Sequence, residues 1–242
     1  MSTSDSASPR VSSLTPWQAI TDILLALLLT VLGGLSAAWL GGLLAGRFEF
    51  PMLAILLVQG LIFLVGLQLI LHWRGQSWRH LGLRPIRLQD LGRTLVALLL
   101  VFLANAVFVS LVFWIEPGQI EGHEQNLTDI ASLLALDLSL PAIGLMMLFV
   151  GFYEEVLARG LLLQRARSLF AGTWGPVLLS SVLFGLGHLY QGWVGTLQTT
   201  LMGIVLSCLT LRWQTLWPAI FAHAIINTAS FGLVRQLGNS PW

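Results

Sequence analysis

The feature that most restricts this chain is a succession of long apolar runs. About 20 apolar residues form a helix long enough to cross the hydrocarbon core of a bilayer. Stretches of that kind lie near Trp17–Ala45, Pro51–Trp73, Leu91–Ile115, Leu140–Leu163, Gly175–Tyr190, Trp193–Leu211 and Leu216–Val234, the fifth being short. A mean hydropathy of +0.82 agrees, as does a charged fraction of 10% against roughly 25% in soluble domains. The pattern predicts an all-α, polytopic transmembrane helix bundle of about seven spans, with eight the alternative. The first run is too long for a signal-peptide core and more spans follow it.

Three segments are expected: a polar tail over 1–16, a three-span region over 17–138, and a four-span core over 139–236. Arg74, Arg79, Arg84 and Arg87 lie between the second and third runs, with Arg93 just beyond; Arg165 and Arg167 follow the fourth, and Arg212 the sixth. All fall on one side, which the positive-inside rule makes cytoplasmic. The other side receives Glu49, Glu116, Glu121, Glu124, Asp129 and Asp137, with Arg47 and Arg235 as its cations. The N-terminus is thus expected in the cytoplasm and the C-terminus on the opposite side. The acidic segment Glu116–Asp137 reads as a solvated loop. Gly33, Gly34, Ala37, Ala38, Gly41 and Gly42 in the first run are spaced for close helix packing in lipid.

The chain lacks lysine, which excludes a Schiff base or a Ser-Lys dyad. One cysteine, Cys208, excludes an intrachain disulfide and is expected to pack rather than attack. A net charge of +1 without a basic, aromatic-interleaved patch points away from nucleic acid. The expected surroundings are the lipid bilayer and a peptide or lipidated-protein substrate.

Few ionisable groups sit well within the runs: Asp22, Glu154, Glu155, Arg159, His188 and His223, with Asn105 and Asn227 as buried amides. Buried charge in lipid is costly and usually functional. In "GFYEEVLARG", Glu155 and Arg159 are i, i+4 and can form a desolvated ion pair. Glu154 is turned about 100° from Glu155, so the same arginine cannot readily serve both. The carboxylate left over can act as a general base or acid. In "SVLFGLGHLY", Phe184 can pack against His188, while Gly185 and Gly187 allow another helix to approach. In "IFAHAIINTA", His223 and Asn227 share one face.

Together these groups suit hydrolysis of a peptide bond in the membrane. Glu154 and His188 would hold and deprotonate water, while His223 and Asn227 would stabilise the oxyanion. Other chemistries lack their residues. "HEQNL" places Leu127 where a zinc protease needs its second histidine, "GLSA" lacks the last glycine of G-x-S-G, and Asp22 is the one aspartate clearly inside a run. At 1.5 Å per residue, Glu154 and His223 fall in the cytoplasmic half and His188 nearer the outer half. The dyad therefore requires the fifth helix to begin deeper, inside a cytoplasmic funnel, or to break near Gly185–Gly187.

The motifs "EEVLAR", "FGLGH" and "HAIIN" in this order resemble the CPBP (Abi) family of intramembrane glutamic endopeptidases, which includes the type II CAAX prenyl endopeptidases. The resemblance covers about Leu145 to Phe231; "LGLRP" before the third run is also similar to a sequence common in these proteins. It implies Glu154 as base with His188, an oxyanion hole of His223 and Asn227, Glu155 and Arg159 orienting the site, and Phe184 in support. A metal is disfavoured, since it would compete with the Glu155–Arg159 pairing, so no cofactor is expected. Where family members often carry a bulky aromatic before the motif arginine, this chain has Ala158, predicting a gap beside the site. Two other functions suit such residues: a non-catalytic immunity or scaffold protein of the same family, and an ion- or proton-coupled transporter.

Overall fold

The computed structural model describes residues 14–44, 51–135 and 138–238. The expectations on the tail before residue 14 and on Arg47, Glu49 and Asp137 fall outside them. Among the described residues all regular structure is helical, as backbone without water requires, since a helix satisfies its own polar groups. Eight helices follow in order: α1 (Pro16–Leu44), α2 (Pro51–Trp73), α3 (Leu88–Ile115), α4 (Gly118–Ala135), α5 (Leu140–Ala166), α6 (Trp174–Leu186), α7 (Gly192–Trp213) and α8 (Trp217–Gly238). Within α5, Val156–Leu162 forms a π-helical turn.

Among the described residues, five helical segments are long and apolar enough to cross a membrane. Two departures from the sequence reading position the site. The fifth expected span, Gly175–Tyr190, is instead the 13-residue α6, about 20 Å long against roughly 30 Å of hydrocarbon. The chain then turns through a short 3-10 segment, Leu189–Gln191, into α7. The second departure is the acidic segment. It is no solvated loop but a helix, α4, whose inward stripe of His123, Leu127 and Ile130 follows helical spacing while Glu121, Glu124 and Gln125 face outward.

The core lies between α1, α2, α5 and α8, where Phe63, Leu67, Leu71, Ile143, Met147, Leu161 and Ile220 are buried together. The small residues of α1 divide by face. Gly33, Ala37 and Gly41 turn toward α2, where a side chain at Gly33 would press on Gln59 and one at Gly41 on Ile55, whereas Gly34 and Gly42 face open space.

The basic connection after α2 also folds inward. Ser77 starts a 3-10 turn over Trp78–Leu81, and Gly82 closes it at φ +94°, a conformation that favours glycine. Leu81 is fully buried against Gly160 and Leu216. The Gly82 carbonyl accepts from the Leu216 N–H at 3.1 Å, and the Arg84 carbonyl from Trp217 Nε1 at 2.6 Å. This segment, the "LGLRP" of the sequence, is a plug that sets the starting depth of α8.

Asp22 is fully buried at the same end. Its Oδ1 accepts from Arg74 Nε at 2.9 Å and its Oδ2 from Arg165 Nε at 2.7 Å, and Arg165 also donates to Gln76 at 2.7 Å. The cluster ties α1 to the ends of α2 and α5.

Candidate active site

The π-helical turn begins directly after Glu155 and carries Arg159; such turns occur frequently at functional sites. Arg159 Nη1 donates to Glu155 Oε1 at 2.6 Å, with both side chains buried, as the i, i+4 spacing predicts. The same oxygen accepts from His223 Nδ1 at 2.8 Å. Glu155 thus joins α5 to α8. The two helices can come this close because Gly151 has no side chain: a Cβ there would lie 3.3 Å from the backbone of Ile220 and Ala224.

Glu154 points elsewhere. Its Oε2 is buried without a hydrogen bond, 3.8 Å from His188 Nε2 and 3.6 Å from His223 Nε2. No arginine is paired with it among the described residues. The three groups drawn from α5, α8 and the α6–α7 turn therefore converge, and the depth difficulty resolves through two starting points. Glu154 stands about 18 Å above the end of α5 and His188 about 21 Å above the start of α6 at helical rise. Glu154 and His223 stand about 9 Å and about 10 Å above the contact of Gly160 with Leu216, on the same count.

His188 follows the Gly187 cap of α6, with φ −108° and ψ 18°. Gly187 ends the helix and meets no other helix, whereas Gly185 lies against Thr196 and Thr200 of α7, the close approach expected of it. His188 Nδ1 sits 2.9 Å from the Phe184 carbonyl. A carbonyl can only accept, so Nδ1 carries the hydrogen and the lone pair of the neutral ring is on Nε2, toward Glu154. The Phe184 ring is 4.8 Å from the His188 ring and 6.0 Å from that of His223. It also lies 4.4 Å from the Arg159 guanidinium carbon, a cation–π contact that sequence spacing did not show. Tyr190, two residues beyond His188 and off any helical register with it, stacks on its other side at 5.8 Å.

These groups open on a cavity of about 220 Å³, lined on its polar side by Asn105, Glu154, His188, Gln198, His223 and Asn227. Asn227, one turn beyond His223, is brought to the same space. Leu127 and Ile130 of α4 form part of its wall. None of its lining residues belongs to the basic connections. At that end Leu81, Leu161, Leu162 and Leu216 are buried together. The cavity lies between Glu154 and the acidic helix, and the plug packs at the basic end. Ala158 leaves no gap. It is buried among Ala97, Val101, Phe184 and Met202 and does not line the cavity.

A metal fits this arrangement poorly. Glu155 Oε1 is committed to Arg159 Nη1 and to His223 Nδ1, and among the described residues no group of three His, Cys, Asp or Glu side chains is disposed to hold an ion. Cys208 is half-buried in α7 and outside the cavity.

Residues 136–229 match the family model described as type II CAAX prenyl endopeptidase Rce1-like. No curated protein and no solved structure matches significantly. The matched segment contains all three motifs, with Glu154, His188, His223 and Asn227. Through this segment the chain, a helical integral membrane protein, is similar to the Rce1-like type II CAAX prenyl endopeptidase family.

Proposed function

We propose that the protein is an intramembrane endopeptidase in which Glu154 and His188 activate water. The observation that carries this reading is the unpaired Glu154 Oε2, buried beside two imidazole nitrogens at the edge of a cavity. That cavity has room for water beside Glu154. A water between Glu154 and His188 gives its proton to Glu154 as its oxygen attacks the scissile carbonyl carbon. The carbonyl electrons move to oxygen, where Asn227 N–H and His223 Nε2–H donate. In that step His223 is the imidazolium, its Nδ1–H held by Glu155. Collapse of the adduct breaks the C–N bond, and the proton on Glu154 passes to the departing amine. A carboxylic acid and an amine result, with no metal or covalent intermediate.

The substrate class is a peptide or a lipidated C-terminus of the CAAX kind, processed at the membrane. With the positive-inside orientation, a cavity that faces the acidic helix supports cleavage toward the non-cytoplasmic side. A Glu124→Cys variant in a Cys208→Ser background tests that side: an impermeant maleimide added outside intact cells should label it, and labelling after permeabilisation alone would reverse the orientation.

The reaction itself is tested in liposomes with fluorogenic peptides, farnesylated and unmodified, with and without chelator. Cleavage by the wild type, indifferent to chelator and absent in Glu154→Gln, is expected. Cleavage retained in Glu154→Gln would overturn the assignment of the base, and cleavage lost to chelator the metal-free mechanism. A folded wild type inert toward every peptide would favour the immunity or scaffold reading.

A further inference from the structure

The cavity wall carries further polar groups outside the three motifs. Asn105 of α3 lines it with Oδ1 buried and without a hydrogen bond. Gln198 of α7 lines it too, and its Oε1 is 3.0 Å from His123 Nε2. The amide oxygen can only accept, so His123 donates through Nε2–H. The Gln198 amide N–H groups then have no partner among the described residues. His123 is itself buried on the inner stripe of α4, and a second contact, Trp193 Nε1 to Gln119 Oε1 at 2.8 Å, fastens α4 to α7 beside it.

We propose that Asn105 and Gln198 bind the backbone of the peptide beside the scissile bond, with His123 as a positioning residue that holds Gln198. The inference rests on the endopeptidase reading and adds the substrate's grip to it. The chemistry is complementary: a peptide unit offers one N–H and one C=O, and the wall offers an orphaned amide oxygen and an unspent amide N–H. Elsewhere Leu56, Leu127, Ile130, Met147, Val150 and Met202 line the cavity. A peptide entering so apolar a space leaves water behind, and its backbone groups must find partners or bear the cost of going without. Amide side chains that read the backbone select an extended chain and tolerate varied side chains at those positions. α4, remote from the catalytic motifs in sequence, thereby takes part in substrate binding through His123.

The test uses the peptide that the wild type cleaves fastest. Asn105→Ala and Gln198→Ala should each raise KM about tenfold, the loss of one or two hydrogen bonds, with kcat within about twofold. His123→Ala should give part of the Gln198→Ala effect and add nothing in the double variant, because it acts through Gln198. N-methylation of the substrate amides flanking the scissile bond, one at a time, should raise the wild-type KM at one position, and Asn105→Ala should lose that discrimination. A purely structural role would lower the melting temperature and leave the N-methyl discrimination intact. Unchanged KM in both alanine variants beside an active wild type would overturn the inference alone. A wild type that cleaves no peptide would instead remove the endopeptidase reading, and the inference with it.

Discussion

The acid–arginine cluster around Asp22 and the one around Glu154 and Glu155 are both buried, and they are built differently. Around Asp22 the account closes: both carboxylate oxygens have arginine partners, and Arg165 reaches Gln76 besides. Around Glu154 and Glu155 it stays open. Glu154 Oε2, Glu155 Oε2 and Arg159 Nη2 are all buried without hydrogen bonds, although Arg159 and His223 converge on the other Glu155 oxygen. A saturated cluster holds helices together; an unsaturated one keeps polar capacity that a substrate and water can use. Burial of charge alone does not separate scaffold from chemistry, but the tally of hydrogen bonds does.

Four substitutions probe that contrast. The largest effect is expected from Glu154→Gln, which keeps shape and removes the base. Cleavage per folded molecule should fall about 10³-fold or more, within the range for a general base and its oriented water, while the melting temperature barely changes. Glu155→Ala should damage both properties. It strands Arg159 and frees His223, costing about 3–5 kcal/mol in denaturant unfolding and most of the activity. Asp22→Asn should cost about 3 kcal/mol by the same measurement and leave the kcat of the folded fraction within about twofold. Phe184→Leu should be mildest, about 1–2 kcal/mol from the lost contact with Arg159, with a several-fold fall in kcat as His188 loses its ring neighbour. A catalytic loss in Asp22→Asn as deep as that in Glu154→Gln would erase the distinction between the clusters.

Much of the reacting group could be read from spacing. Glu155 and Arg159 lie one turn apart on one helix, as do Phe184 and His188, and His223 and Asn227; local periodicity carries such pairs. The dyad's meeting could not be read that way. It depends on α6 being short, on Gly187 ending it, and on the Leu81 plug lifting the start of α8, all set by packing between distant segments. Asp22 illustrates the same limit, since its partners are 52 and 143 residues away. The acidic segment misled because its outward charges outnumber an inward stripe of three residues. Its depth of burial comes from α7 and the cavity, not from its own composition. Charge sets the expected orientation, whereas the plug at the basic end is built from leucines and glycine.

The central claim is that the open cluster performs chemistry and the closed one does not. Its most direct test is the cleavage rate per folded molecule of Glu154→Gln and Asp22→Asn, measured side by side in the same liposomes against wild type. The account predicts cleavage near background for the first and close to wild type for the second. Comparable rates in the two variants, whether both active or both inert, would contradict it.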